Sequence, residues 1–430
     1  MIILRRFLGF QRMASDAQNR PQSKLPPEIW LKVFEYATHI PGAYTCDDAP
    51  ALLAFAADQH GIALHSRHRE ATNTMLSASL VCKAWTPIAA EYLFRYLLVK
   101  SGDHAVKIAT TLDSLAYNSL RLPSPCRSTL RLELFLEGVH QWKTSHTAAL
   151  TSILSRCVNI RIFSTAFMSV DAPYNSQQFV NAMQTVGLRS NIRRLELKGN
   201  AALFWVVLPA LAPHLECLVL VPLYARGTRS ELTFPNLRTF ILSDRWAIPL
   251  DDDSSALPGL PFRMPALRAL HLSPNSSTHS DFFRTVAGQL EYLSAGGNTS
   301  SALELCSSLN SLTEWTLPVA LFVSIDRANF PPTLRVVNLD GGLAGFPLGN
   351  LAVWVANQCP PALTTIRFLL PFRRYSCEIT QCTIRVVKLF IGACMKRDIQ
   401  IELAKGVDQH TSRSYVPATI ELLAAALADR

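Results

Sequence analysis

One short pattern recurs along most of the chain and limits what the chain can fold into: apolar, two variable residues, apolar, one variable residue, apolar. It reads Ile192-x-x-Leu195-x-Leu197, Leu215-x-x-Leu218-x-Leu220, Leu237-x-x-Phe240-x-Leu242, Leu267-x-x-Leu270-x-Leu272, Leu312-x-x-Trp315-x-Leu317 and Leu334-x-x-Val337-x-Leu339, with weaker copies from Ile160, Leu290 and Leu363. Successive copies begin 22 to 32 residues apart. The last apolar pair has strand spacing, so both side chains lie on one face of a β-strand, and the leading apolar residue anchors the approach to it. The residues between copies suffice for a return helix or loop. Segments 281–290, with Phe282, Phe283 and Val286, and 351–358, with Trp354 and Val355, are the candidate helices. A unit of this length cannot bury its apolar face alone, so neighbouring units stack and their strands line up in parallel.

The array resembles an irregular leucine-rich repeat. That family places an asparagine or cysteine three residues after the last leucine, and here Asn200, Asn275 and Asn298 stand at that place. The resemblance implies an α/β solenoid with a parallel sheet over residues 128–405. Its concave face would carry the side chain between the two strand leucines of each copy: Glu196, Val219, Ile241, His271, Ser294, Thr316, Asn338 and Arg367. This mixed set has no dominant charge, which points to an unidentified target protein as ligand and away from a polyanion. Leu-rich strands in an ordinary α/β domain are the alternative reading. The stretch 377–403 reads as a helix followed by a strand from 399, and residues 406–430 as a capping helix at 418–427.

Residues 1–23 read as a disordered tail, and a helical module follows at 24–100. Pro26 and Pro27 suit a first helical turn, and Glu28 sits where the helix dipole favours an anion. Ile29, Trp30, Val33, Phe34 and Ala37 then form one helical stripe. A second apolar segment, 75–81, leads into Cys82-Lys83-Ala84-Trp85, and a third helix is expected to carry Ile88, Tyr92, Leu93, Tyr96 and Leu97 on one side. Three short helices bury only a small core and gain stability from a partner.

In order and type, Leu25-Pro26, Ile29 and Phe34, Leu80-Val81-Cys82-x-x-Trp85 and Tyr92-Leu93-Phe94-Arg95 resemble an F-box, over about 45 of the 430 residues. The resemblance implies docking to a Skp-family adaptor, and through it to a cullin, while the rest of the chain binds the protein to be ubiquitinated. It assigns Leu25, Pro26, Ile29, Val33, Phe34, Leu80, Val81, Cys82 and Trp85 to the adaptor-binding face or its supporting core. The insert 39–74 departs from the family. It holds a turn at Pro41-Gly42, an apolar helical piece at 49–57 and, farther along, His60, His65 and His68. His65 and His68 have metal-compatible spacing, yet no cysteine or acid stands at a matching distance, and Arg67 and Arg69 would repel a cation.

Other functions find little support in the residues. The formal charge of +9 comes from 41 basic against 32 acidic residues spread along the chain, without the basic stripe of a nucleic-acid site. The ten cysteines stand mostly singly and read as buried thiols, which suits a cytoplasmic or nuclear protein. The most apolar long window, 203–223, is broken by Pro209, Pro213, His214 and Glu216, so no membrane span is expected. Phosphate-binding glycine loops, zinc-protease and nucleophile-elbow motifs are missing from the sequence, Asp251-Asp252-Asp253 reads as a solvated loop, and no metal or cofactor is expected. The expectation is therefore a non-enzymatic receptor subunit of a ubiquitin ligase. A ligase-independent repeat scaffold and a hydrolase in an unrecognised α/β domain are the alternatives.

Overall fold

The structure is a computed structural model and describes residues 26–40, 42–46, 62–82, 85–118, 125–136, 141–166, 168, 176–224, 231–242, 262–272, 284–295, 308–318, 330–340, 348–369 and 381–404. It is a mixed α/β protein whose repeated strands pair in parallel, and it divides into two compact units, Met1–Leu237 and Arg238–Arg430.

The first unit opens with helices α1 (Pro27–Ala37), α2 (Ile62–Ser79) and α3 (Trp85–Leu93). Strands and helices then alternate: β1 (Tyr96–Val99), α4 (Gly102–Asn118), β2 (Arg131–Leu134), α5 (Thr144–Arg156), β3 (Ile162–Ser164), α6 (Gln177–Gly187), β4 (Arg194–Asn200), α7 (Ala201–Leu211) and β5 (Cys217–Tyr224). The strands pair in chain order. Leu97, Leu132, Phe163, Leu195 and Leu218 stand in one register row and are all buried. The next row, on the opposite face because side chains alternate, is Leu98, Glu133, Ser164, Glu196 and Val219. Helix α5 buries Ala149, Leu150, Ile153 and Leu154, and α6 buries Phe179, Ala182, Met183 and Val186.

Two expectations for the N-terminal module need correction. The third helix stops at Leu93, and Tyr96 and Leu97 belong to β1. Tyr96, Leu97 and Val99 are all buried, which requires cover on both sides; a parallel strand provides it and a one-sided helical stripe does not. The second helix is also longer than its apolar end, because the polar, histidine-bearing stretch from Ile62 is helical. The segment 49–57 lies outside the described residues.

The second unit carries β6 (Thr239–Leu242), β7 (Ala269–Leu272), β8 (Tyr292–Ala295), β9 (Glu314–Pro318), β10 (Val336–Asp340), α8 (Leu348–Asn357), β11 (Thr365–Leu369), α9 (Gln381–Lys396) and β12 (Gln400–Ala404). Its strands also pair parallel in chain order. The row Phe240, Leu270, Leu293, Trp315, Val337 and Ile366 is fully buried. Onto this face pack Leu351, Trp354 and Val355 of α8 and Val387, Phe390 and Ile391 of α9, with the Phe368 and Phe390 rings edge-on at 5.9 Å. The helix-then-strand reading of 377–403 corresponds to α9 and β12. In segment 281–290, of which 281–283 lie outside the described residues, residues 284–286 are α-helical and run into a 3₁₀ turn at Ala287–Gln289. Residues 1–23 and 406–430 lie outside the described residues.

A second periodic device joins successive repeats within each unit. The residue just before the leading apolar position of several copies donates a side-chain hydrogen bond to a carbonyl of the preceding turn. Asn159 reaches Arg127 O (2.7 Å), Asn191 reaches Val158 O (2.8 Å) and Asn236 reaches Pro213 O (2.7 Å). In the second unit Gln289 reaches Met264 O (2.7 Å), Ser311 reaches Gly288 O (3.0 Å) and Thr333 reaches Asn310 O (3.2 Å). Turn carbonyls left over by a parallel ladder need such partners.

Candidate interaction surfaces

In the N-terminal module the aromatic residues make the core. Phe34 is buried with Met75, Ala78 and Ala89, and Trp30 and Trp85 pack against that cluster. The Trp30 and Trp85 rings lie 4.3 Å apart, Phe34 meets Trp85 edge-on at 5.3 Å, and Tyr92 Oη donates to Leu31 O at 2.9 Å. What remains outside is apolar: Ile29 (42 % exposed), Val33 (42 %), Tyr36 (85 %), Leu80 (55 %) and Val81 (51 %). Five of the ten large apolar side chains exposed among the described residues therefore belong to this small module. Ile29, Val33 and Tyr36 share one face of α1 by their spacing, and Leu80 and Val81 form the turn between α2 and α3. Of the residues assigned to adaptor docking, Phe34 and Trp85 support the module from within, while Pro26, Ile29, Val33, Leu80 and Val81 are exposed and Cys82 is half-buried. Leu25 lies outside the described residues. Tyr36 escaped the sequence reading, although its place seven residues after Ile29 puts it on the same stripe.

The strand face of the first unit is occupied by the chain itself. Glu196, expected on an open concave face, is fully buried, and so is Val219. The reason is the insert. Ile40, Ala43 and Leu64 cluster with Tyr96, and Ala71 packs against them. Beneath this cover lie Arg131 and Arg194 with Glu133 and Glu196, all completely buried. Arg131 grips both carboxylates, with Nη2 at 2.7 Å from Glu133 Oε2 and 2.8 Å from Glu196 Oε2. Arg194 Nη2 lies 2.6 Å from Glu196 Oε1, and its Nη1 donates to the carbonyls of Gly42 and Thr45 in the insert. Glu133 further accepts Tyr96 Oη at 2.5 Å and pairs with His65 Nε2 at 2.6 Å. The two guanidinium and two carboxylate charges cancel, which is what makes such burial tolerable.

The ionisation of these groups follows from the packing. Burial opposes the charge on Glu133, but Arg131, His65 and Tyr96 together outweigh it and hold the carboxyl down at about 2. Glu196 is likewise lowered, with Arg131 and Arg194 outweighing its burial. His68, stacked on the Tyr96 ring at 4.2 Å, is pushed down to about 4, chiefly by burial. Burial also pushes the Tyr96 phenol well above its ordinary range, reinforced by the Glu133 charge. His65, weighed above as a metal ligand, spends Nε2 on Glu133.

The corresponding row of the second unit runs Ile241, His271, Ser294, Thr316, Asn338, Arg367 and Glu402. Ile241 is buried, and so are Ser294, Thr316 and Asn338, so these four are withdrawn from the expected target surface and only His271 and Arg367 stay partly exposed. From His271 onward the row is tied together by a lateral chain of hydrogen bonds. His271 Nδ1 and Ser294 Oγ are 2.8 Å apart, Asn338 Nδ2 donates to Thr316 Oγ1 (3.0 Å) and Glu314 Oε1 (2.7 Å), and Tyr292 Oη meets Thr316 Oγ1 at 2.6 Å. Arg367 bonds Glu402 Oε2 (2.7 Å), Asn338 Oδ1 (3.1 Å) and Glu314 Oε1 (3.2 Å). Its side chain keeps 28 % exposure, with Glu314 at 19 % and Glu402 at 35 %. Glu314 and Glu402 are not among the expected target residues; Glu402 stands opposite Arg367 in register, and Glu314 lies two residues before Thr316 on the same face, placements that the repeat pattern alone does not rank.

Among the described residues no helix is long and apolar enough to cross a membrane, and no group of three or more acidic, histidine or cysteine side chains is placed to hold a metal ion. No protein-family model matches this sequence, and no curated protein is significantly similar to it.

Proposed function

We propose that the protein is the substrate-recognition subunit of a Skp–cullin–F-box ubiquitin ligase, in which the N-terminal module is an F-box and the stacked strands are an irregular leucine-rich-repeat solenoid. The observation that carries the reading is the apolar surface of the module. Ile29, Val33, Tyr36, Leu80 and Val81 stay exposed around a core closed by Phe34 and Trp85. A monomer gains nothing from such a surface, whereas a partner covering it gains the burial of several large side chains. Ile29, Val33, Leu80 and Val81 are among the positions that the F-box resemblance assigns to the adaptor, and Tyr36 extends their surface.

The target would be taken by the half-exposed polar row around Arg367, Glu314 and Glu402. The strand face of the first unit is already filled and contributes support. Fully paired but accessible polar groups favour a protein surface offering complementary hydrogen bonds.

Binding of the full chain to a purified Skp-family adaptor tests the proposal. Ile29→Asp with Val33→Asp should weaken binding at least about tenfold while leaving the thermal transition in place, because both side chains are exposed. If the unsubstituted chain does not bind the adaptor, the ligase role falls and a free-standing scaffold replaces it.

A further inference from the structure

We propose that the first unit has a second interaction surface, at the edge where its strands begin, that takes an acidic protein segment carrying one apolar anchor side chain. The turns after α5 and α6 enclose a socket of about 100 Å³ between Leu154, Val158, Ile160, Leu188 and Ile192. That is room for a single aliphatic side chain. The socket mouth is apolar and open to solvent: Leu188 is 82 % exposed and Val158 46 %. Asn191 holds the two turns together through Val158 O at 2.8 Å, so the mouth is built before any partner arrives.

The surroundings are basic. Arg189 lines the socket, Arg161 follows Ile160, and Arg127 offers its carbonyl to Asn159 beside Val158. Arg127 and Arg161 are exposed, and no described carboxylate pairs with Arg127, Arg161 or Arg189. Arg193, next along the same edge through its N–H to Arg161 O at 2.8 Å, faces Glu216 at 3.6 Å. In the sequence Arg193-Arg194 is a single basic step; in the structure Arg194 neutralises buried glutamate while Arg193 joins this outer edge. Unpaired guanidiniums around an apolar hole match carboxylates flanking an apolar side chain. Single-stranded nucleic acid would share the charge complementarity, but its binding sites rely on aromatic platforms, and no aromatic side chain lines the socket. This surface is independent of adaptor docking and of the Arg367 row.

The test is fluorescence anisotropy on the full chain with a labelled Glu-Asp-Leu-Asp-Glu peptide, its twin with serine in place of leucine, and poly(U) RNA. The leucine peptide should bind roughly tenfold tighter than the serine twin, the gain expected for burying one such side chain. Arg161→Glu with Arg189→Glu should weaken both peptides by about tenfold or more, and Leu188→Ser should erase the difference between them. An unchanged thermal transition certifies each variant. Equal affinity for the two peptides, no binding of the leucine peptide, indifference to the arginine exchange, or poly(U) binding tighter than either peptide each overturns the proposal.

Discussion

Glu133→Gln tests how firmly the insert is fastened to the sheet of the first unit. The substitution keeps the shape of the side chain and deletes its charge. Glu133 holds Arg131 at 2.7 Å, Tyr96 at 2.5 Å and His65 at 2.6 Å, with no exposure to water. Its carboxyl is held at about 2 against an ordinary 4.5. A depression of that size corresponds to about 3 kcal/mol of folding stability at neutral pH. A charge count leads to a similar figure, since two buried guanidiniums would then face Glu196 alone, and breaking a buried pair costs about 3–5 kcal/mol. Urea unfolding near neutral pH should reveal a loss of about 3 kcal/mol, and amide exchange should quicken across residues 62–79. Because the folded-state value is depressed, the contribution of Glu133 is complete above 4.5 and is lost as pH falls toward about 2. The penalty for glutamine must therefore shrink on acidification. A loss below about 0.5 kcal/mol near neutral pH, or a penalty independent of pH between those limits, would refute the claim that this network clamps the insert.

Burial keeps His68 neutral down to about 4, so the unfolded chain takes up a proton that the folded one refuses once pH drops below 6.5. Stability present above 6.5 should decline between 6.5 and about 4, and His68→Gln should flatten that window in a series of urea titrations. Asn236→Ala removes the bond to Pro213 O and should cost about 0.5–1 kcal/mol, seen as a lower urea midpoint at constant slope. Gly102→Ala would drive a methyl group into the His146 ring, which is fixed by Lys143 N–H and Asp103; a loss of about 1–3 kcal/mol is expected in thermal unfolding. Asp398, at φ 56° just beyond α9, occupies the left-handed region that glycine adopts freely, so Asp398→Gly should stabilise by about 0.5–1 kcal/mol by the same measurement.

The strand leucines were legible because a face buried on every copy imposes its spacing on the sequence; Leu195 with Leu197 and Trp315 with Leu317 need no knowledge of their neighbours. The alternation that assigned Glu196 and Arg367 to the opposite face was also readable. The fate of that face was not, since it depends on contacts between residues far apart in the chain, such as Arg194 with Gly42 and Thr45. A signal did exist: Arg131 with Glu133 and Arg194 with Glu196 repeat the same charge pair at strand spacing, and adjacent strands bring such pairs together. The hydrogen bonds between turns were hidden differently. Asn159, Gln289, Ser311 and Thr333 share a position and a donor but no residue type, so the repeated asparagines at 200, 275 and 298 do not point to them. Tyr96 and Leu97 were misplaced because an apolar run of four residues fits a helix end and a short strand equally well.

The placement of β1 has a consequence for how this half of the molecule comes apart. Tyr96 is at once the last ring under the insert, a hydrogen-bond donor to Glu133, and part of the strand that starts the ladder with Arg131. A protease cut or a domain boundary drawn near residue 100 would therefore leave neither fragment self-sufficient. Heat should melt the helices and the first strands in one cooperative step.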